Sequence, residues 1–564
     1  MSPNRFWGKL WTIAGLLVFG GLLVLCLFPG QAFCAQGGAE NAIKDFLLRP
    51  PNQMDSPAQK IFRPVDETLI FYQERNFLPA WFEDEKPSQN ARILLECLRS
   101  SFEDGFCPED YHLQELEALI ALQDFVGKQW NLRNPYGLAR LDILFTDAFM
   151  LYAADFIHGR VNPLELDNRW RFRKTRPDLI KLLVFALEEQ HFCQVMRKIK
   201  PSFPGYESLV SGLSKYRRLV AAGGWNKIPS GPSLRLGDRD PRVLLLRRRL
   251  ALTGELEGLI EQSSDLFDSS LKTALARFQR RHGLTEDGVL GAKTLEALNV
   301  PAEDRVRQIE VNLERLRWLP KNLGERHLII NIPDLLLTVF EKGKPVLWMP
   351  VIVGRAYRKT PVFSARMTYL EFSPYWYVPP TILKEDKLPK IQKDPGWLVR
   401  NNFEIIPWKG GEEKSIDPFE IDWKNVEADK FPGMLRQKPG PWNPLGRVKF
   451  MFPNPYAVYL HDTNERHLFS RNIRLFSSGC IRIERPLDLA EYLLKDAGWS
   501  CEALYQVTTL DKPLRVDLPR ELPVYIFYMT AWVDKEGTIQ FRKDIYLKDR
   551  VLDQLLLSRF DEGS

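Results

Sequence analysis

The hydrophobic period of this sequence changes once, near His327, and that change decides the fold class. Between residues 42 and 235 apolar side chains recur every three or four positions, as in 91–101 and 141–156, with turn signals at Asp104-Gly105 and His158-Gly159. Spacing of that kind puts one apolar stripe on each helix. From His327 onward the apolar residues gather in short β-branched or aromatic runs, 328–332, 335–340, 345–353, 368–372, 447–450 and 457–460, separated by turns. Such runs predict a mostly-β unit. The expected architecture is multidomain α+β, and 564 residues suffice for roughly three or four cores.

One segment carries an export signature. Residues 10–28 form an almost unbroken apolar run of nineteen, preceded by Arg5 and Lys9 and followed by Pro29, Gly30, Ala32 and Ala35. A cationic flank ahead of such a run predicts transfer across a membrane. The run exceeds a signal-peptide core of roughly 7 to 15 residues while small residues still follow it, so residues 1–40 read as a cleaved signal peptide or an uncleaved inner-membrane anchor. The expected location is the periplasm, with residues 10–28 holding the chain at the membrane if they are retained. Cys34 follows the bulky Phe33 and makes a poor lipid-acceptor cysteine.

An exported chain meets an oxidising compartment. Beyond the export segment stand Cys97, Cys107, Cys193, Cys480 and Cys501, an odd number that leaves at least one thiol unpaired. Cys97 and Cys107 could pair or remain buried thiols. His112, His158, His191, His282, His327, His461 and His467 are scattered without zinc-ligand spacing, so no metal is expected. Lys and Arg total 78 against 72 Asp and Glu, a net charge of +6 with no basic run, which argues against nucleic acid as a partner.

Residues 41–235 read as a helical scaffold domain, closed by the Gly/Pro/Ser-rich stretch 221–232. In 238–301 two helices, 243–252 and 269–282, lead to Phe278-Gln279, Gly283-Leu284, Asp287-Gly288-Val289 and Gly291. This pattern resembles the small three-helix peptidoglycan-binding domain of cell-wall enzymes, which implies contact with glycan strands. Taken singly, Phe278, Leu284 and Val289 read as core and the glycines as turns. A linker helix within 302–325 precedes the mostly-β domain, 326–510. That domain is interrupted by residues 378–442, rich in Lys, Pro and Trp, and an insertion this long ahead of a reactive segment predicts a lid. Residues 511–564, strand-like at 524–533 and 538–541, are expected to add strands to the same sheet.

The reactive segment is Val458-Tyr459-Leu460-His461-Asp462-Thr463, followed by Ser477-Ser478-Gly479-Cys480-Ile481-Arg482. A thiol nucleophile needs a base, a dipole environment for the oxyanion and a tight turn that presents sulfur. His461 at a strand end, the Ser478-Gly479 turn and the amides around Cys480 could supply all three, although a Cys and a His nineteen positions apart also fit a buried structural thiol. The stretch resembles the signature of the YkuD-type L,D-transpeptidases. Thr360-Pro361, the 373–380 run from Ser373 to Pro380, and 439–450 from Pro439 to Phe450 extend the likeness. Helical scaffold, binding domain and capped catalytic domain together resemble the family's long members. Many members have a second histidine where Ser478 stands, which leaves His461 as the only candidate base.

The resemblance implies roles residue by residue. Cys480 would be the nucleophile and His461 its proton acceptor, the two coexisting as thiolate and imidazolium. A backbone carbonyl, that of Asp462, would hold the imidazole tautomer. Gly479 and Cys480 would offer backbone N–H groups to the oxyanion, with Ser477 and Ser478 shaping the turn. Arg482 would orient the loop or a substrate carboxylate, or brace the turn through Glu484 or Asp488. Tyr459 shares the face of His461 and would line the acyl pocket or pack in the sheet. Trp376 and Trp442 flank the insertion and would contact the donor stem or pack in a core. The implied reaction is a two-step acyl transfer between peptidoglycan stem peptides that requires no cofactor and is sensitive to carbapenems. A wall-synthesis complex is a conceivable partner. Hydrolysis by the same thioester, protein anchoring, and a non-catalytic wall-binding scaffold are the alternatives.

Overall fold

The structure, a computed structural model, describes residues 38–48, 66–83, 86–130, 135–170, 172, 177–188, 191–257, 264–408 and 415–561. The export segment 10–28 and Cys34 lie outside the described residues, among which no helix is long and apolar enough to cross a membrane. The chain divides into two compact units: Met1–Ala91 with Glu115–Asp147, and Arg92–Gln114 with Ala148–Ser564.

In the first unit a fully buried carboxylate organises the packing. Asp142 accepts hydrogen bonds from the backbone N–H of Ala80 (2.8 Å) and Trp81 (2.9 Å) and from the Tyr72 phenol (2.5 Å). Burial pushes its carboxyl up from the usual range. These three donors offset the desolvation that would make an unpartnered carboxylate untenable there.

The second unit carries the predicted helices of the binding domain: α1 (Tyr206–Ala221) leads to α2 (Arg242–Thr253), α3 (Ser269–Arg281) and α4 (Ala292–Leu298). The latter three enclose a separate core built on Val243, Leu246, Leu271, Leu275 and Phe278. Asp268 caps α3 by accepting from the Leu271 N–H at 2.8 Å. The Gln279 of the motif is a structural clamp: its amide donates to Asp287 (2.8 Å) and accepts from the Gly288 N–H (2.8 Å), fixing the turn that follows.

Helix α5 (Ala302–Trp318) is the expected linker helix, yet it is buried along most of its length, with Asn312, Glu314, Arg315 and Arg317 all at or below 2 % exposure. Its charges are paired inside. Glu314 accepts from the Val161 N–H (2.9 Å) and from Arg317 (3.0 Å), and Arg315 pairs with Asp549 at 2.6 Å. The predicted turn at Gly159 presses against this helix. A Cβ there would stand 2.3 Å from Trp318 Nε1 and 2.5 Å from Glu314 Oε1, and φ is +80°, so only glycine fits.

Among the described residues fourteen strands follow: β1 (Arg326–Asn331), β2 (Leu336–Glu341), β3 (Lys344–Gly354), β4 (Phe363–Phe372), β5 (Trp376–Tyr377), β6 (Phe403–Pro407), β7 (Gly433–Gln437), β8 (Val448–Met451), β9 (Leu460–His461), β10 (Leu475–Ser477), β11 (Ile481–Ile483), β12 (Leu514–Phe527), β13 (Ala531–Val533) and β14 (Ile539–Phe541). Nine form one sheet in the order β10-β3-β11-β9-β8-β4-β12-β1-β2, and β2 pairs back onto β3 to close the hydrogen-bonding circuit. Its interior is the main core, including Leu328, Val339, Val351, Leu370, Phe450, Leu460 and Ile481. The insertion supplies the separate sheet β5-β7-β6 and its own core around Trp376, Ile391, Phe403, Trp423 and Leu435.

One expectation for the C-terminal segment needs correction. β12 joins the main sheet, but β13 and β14 pair only with each other. The chain is diverted at Thr530, whose N–H donates to Asn312 Oδ1 (2.9 Å) while Asn312 Nδ2 donates to its hydroxyl (2.7 Å). Helix α5 thus takes the polar groups that a continuing strand would have offered its neighbour. A final helix, α6 (Lys548–Asp561), closes the unit.

Candidate active site

The register of three strands assembles the site. β9 and β11 run parallel with Leu460 opposite Ile481 and His461 opposite Arg482, and β8 runs antiparallel to β9 with Lys449 opposite His461. Because side chains alternate along a strand, Tyr459, His461, Cys480 and Arg482 share one face. Glu371 of β4 pairs with Lys449, and Arg515 of β12 with Glu371, so a row of charged groups crosses the sheet to His461 and Arg482. Glu371 accepts an ion pair from Lys449 at 3.3 Å.

His461 is 4 % exposed. Its Nδ1 lies 2.5 Å from the Asp462 carbonyl oxygen. A carbonyl can only accept, so Nδ1 carries a proton. The Asp462 carboxylate is engaged elsewhere, by the Arg447 N–H (3.0 Å) and Arg466 (2.9 Å). Burial, then the nearby Arg482 and Lys449, lower the imidazole pKa to about 3 against the pull of the Asp462 and Pro444 carbonyls. For Cys480 burial pushes the thiol up, outweighing the Tyr459 amide and phenol, Lys449 and Arg482, all of which favour thiolate. Burial therefore favours the neutral form of each group, the Cys480 thiol and the His461 imidazole, on the sheet face they share. The thiol donates to the Ala457 carbonyl at 3.7 Å.

The turn before Cys480 is braced from three directions. Gly479 has φ +121°, and the nearest atom to an added Cβ is Lys359 O at 4.0 Å, so the backbone angle alone calls for glycine. Ser477 is buried; its hydroxyl donates to the Cys480 carbonyl (2.5 Å) and accepts from the Gly479 N–H (3.2 Å), so that amide is shared rather than idle. Thr360 donates to the Gly479 carbonyl at 2.8 Å and accepts from the Gly354 N–H at 2.9 Å. Tyr546 in turn donates to the Gly354 carbonyl at 2.6 Å. A trans peptide sets C=O and the next N–H antiparallel, so by fixing the Gly479 carbonyl Thr360 also aims the Cys480 N–H. Thr360→Val should leave two buried backbone groups unpaired, costing about 1–3 kcal/mol for each. Thermal unfolding should register that loss.

The remaining predicted residues separate. Arg482 bonds Glu465 at 2.5 Å, and not the expected Glu484 or Asp488, the latter being engaged by Arg485 at 3.1 Å. Tyr459 packs between the main core and the insertion's core, with its ring 5.7 Å from His461 and Lys449 Nζ 5.2 Å from its centroid. Trp376 lies in the insertion's core against Phe403, centroids 6.0 Å apart. Trp442 is 42 % exposed and donates to the Lys438 carbonyl at 3.3 Å. Ser478 is exposed and its hydroxyl accepts from Arg358 at 3.0 Å. Sequence reasoning gave no role to Arg358, Glu371 or Tyr546, whose contacts come from distant strands and carry no local pattern. All five cysteines beyond residue 38 are free thiols, Cys107 donating to Glu109 at 2.9 Å.

The model of the L,D-transpeptidase catalytic domain, YkuD, matches residues 325–525, which span every strand of this site. This chain carries a YkuD L,D-transpeptidase domain. A scaffold-domain model matches residues 66–213, and the one described as "Putative peptidoglycan binding domain" matches 239–298. A curated protein of Haemophilus influenzae described as "Putative L,D-transpeptidase" is 36% identical over 247 residues. The match covers 44% of this chain and 49% of that protein, so the chain spans about half the length of this relative. Solved L,D-transpeptidases of Xylanimonas cellulosilytica and Stackebrandtia nassauensis are each 14% identical. The first covers 53% of this chain and 99% of its own at a TM-score of 0.17, the second 54% and 97% at 0.20. At those scores neither adds to the fold assignment.

The buried histidines of the YkuD and binding domains predict an acid limit to stability. His282, stacked on Phe278 with centroids 3.8 Å apart, is held well below its ordinary pKa by burial and by Arg281 and Arg305, as His461 is by its own surroundings. A folded pKa below the unfolded one gives stabilisation that is complete above about pH 6.5 and is lost as pH falls toward the folded value. Each such histidine should steepen the loss by up to about 1.4 kcal/mol per pH unit. Denaturant midpoints between pH 7 and 4 should fall accordingly, and His282→Asn should flatten the slope.

Proposed function

We propose that this protein is a peptidoglycan L,D-transpeptidase that works outside the cytoplasm and forms three-to-three cross-links. The observation that carries the reading is His461, its Nδ1–H fixed on the Asp462 carbonyl, on the sheet face it shares with Cys480.

Cys480 rotates from Ala457 and attacks the carbonyl of the meso-diaminopimelate at the third stem position. The S–C bond forms as the thiol proton passes to His461 Nε2. The Gly479 and Cys480 amides receive the developing oxyanion, the former giving up its 3.2 Å contact with Ser477. The carbon–nitrogen bond to terminal D-alanine then breaks, and the imidazolium returns its proton to the leaving amine. The side-chain amine of a second diaminopimelate attacks the thioester, forms the new amide and returns a proton to the cysteine sulfur. An insertion with its own sheet and core, against which Tyr459 packs beside His461, would exclude water and so favour the amine. The binding domain would keep the chain on glycan strands, and Tyr459 would line the acyl pocket.

Intact-mass spectrometry after incubation with a carbapenem tests the nucleophile: one adduct on the parent, absent from Cys480→Ala, is expected. Product analysis on tetrapeptide stems tests the rest. Dimeric muropeptides support cross-linking and trimmed tripeptides support an L,D-carboxypeptidase. No adduct on folded protein would leave a wall-binding scaffold.

A further inference from the structure

Arg358 stands at a junction that neither the motif nor the strand register accounts for. It lies in the turn after β3, which is fastened to the catalytic turn by the Arg355 N–H donating to Ser477 O (3.0 Å), and tightened by the Arg358 N–H donating to Arg355 O (2.9 Å). Its guanidinium is 13 % exposed and makes three polar contacts. One N–H donates to Ser478 Oγ at 3.0 Å, and the others reach Asp386 at 3.3 Å and Glu385, both in the insertion.

The two sides of this junction differ. The Arg358 side chain is nearly enclosed, on a loop whose backbone is fastened to Ser477, while the Glu385 and Asp386 side chains are 57 % and 48 % exposed. They sit on Leu383–Lys387, a π-helical turn, a geometry that recurs at functional sites. One guanidinium facing two carboxylates has one more than it can neutralise, and half-exposed ion pairs are cheap to exchange. Ser478 is two residues before Cys480, a chain distance of about 7 Å at most. In the proposed reaction the donor's terminal carboxylate lies one residue beyond the attacked carbonyl, a span of about 4 Å. Arg482 is the register partner of His461 and pairs with a single carboxylate, Glu465, so it carries no surplus negative charge for a donor to displace.

We infer that Arg358, with Ser478 Oγ, is the receptor for the carboxylate of the donor peptide's terminal residue, and that Glu385 and Asp386 hold the receptor until a donor displaces them. The inference rests on the donor assignment made under the proposed function. It makes Arg358 a specificity-determining residue, since a fixed guanidinium forms a charge-assisted bond with a free acid and loses it with an amide. It also links donor arrival to release of the insertion at this point.

The test compares a stem tetrapeptide as free acid and as C-terminal amide, binding to Cys480→Ala protein. The acid is expected to bind about tenfold tighter, a difference typical of one charge-assisted bond. Adding Arg358→Gln should reduce that preference to about one while amide affinity is kept, which also shows that the variant is folded. Arg358→Lys should retain part of the preference, and Glu385→Gln with Asp386→Asn should tighten acid binding several-fold. Retention of the full preference in Arg358→Gln, or weaker acid binding in the lid double variant, would overturn the receptor. D-alanine release by the protein with Cys480 intact separates the two readings. Release with an undiminished preference in Arg358→Gln sinks the receptor and leaves the transpeptidase standing; loss of the preference without release does the reverse.

Discussion

His461→Ala is expected to slow acylation of Cys480 by roughly 10² to 10⁴-fold near pH 7, the range a positioned general base contributes. The neutral resting pair fixes the shape of the accompanying pH profile. With an imidazole pKa of about 3, the base stays available across the working range and contributes no acid limb between pH 5 and 8. In the variant only the small thiolate fraction reacts, and the Cys480 thiol is pushed above its ordinary value. Its rate should therefore climb about tenfold per pH unit, and the deficit against the parent should narrow toward alkaline pH. Stopped-flow acylation by a carbapenem gives both curves. A parent profile that falls away below an apparent pKa of about 6 to 7 would show a histidine base titrating at its ordinary value, against the depressed one, and thiolate ultraviolet absorbance of the resting parent at pH 7 would restore the ion pair.

Glu314→Leu should cost about 3–5 kcal/mol, the loss expected when one partner of a buried ion pair is deleted and the other stays charged. Glu314 is fully buried, and its removal strands Arg317, itself 2 % exposed, along with the Val161 N–H. Arg317 also donates to the Asp104 carbonyl and, at 3.3 Å, to the Tyr206 phenol, so the guanidinium cannot swing out to water without breaking both. A lower urea midpoint with an unchanged m-value is the expected signature. Glu314→Leu combined with Arg317→Leu should recover a large part of the loss, because no charge is then left uncompensated. If the double variant is as unstable as the sum of the two single ones, the pair is not coupled and the argument fails.

These residues also mark where sequence reading runs out. The strands from β1 to β4, the three helices of the binding domain and the His461–Cys480 segment were legible because each is a local pattern: an alternation, an apolar stripe, a motif. Helix α5 was legible as a helix only. Nothing in a run such as Arg305, Arg307, Glu310, Glu314, Arg315 and Arg317 announces burial, since a charged residue is normally read as solvated. Its partners Asp549 and Val161 lie far away along the chain. The same holds for the partner of Arg482, which proved to be Glu465 rather than the nearer Glu484, and for β13, which Asn312 draws away from the sheet. Local signals name the elements, while the long-range polar contacts that fix their final placement leave no local trace.

Tyr546 lies beyond residue 525, where the YkuD match ends, yet it steadies the Gly354 carbonyl next to the Thr360 contact on the catalytic turn. A fragment cut at the edge of that match would keep Cys480 and His461 and lose the post behind them. The smallest piece of this chain able to hold the Cys480 turn as it stands therefore extends at least through Tyr546, past the boundary that family likeness would suggest.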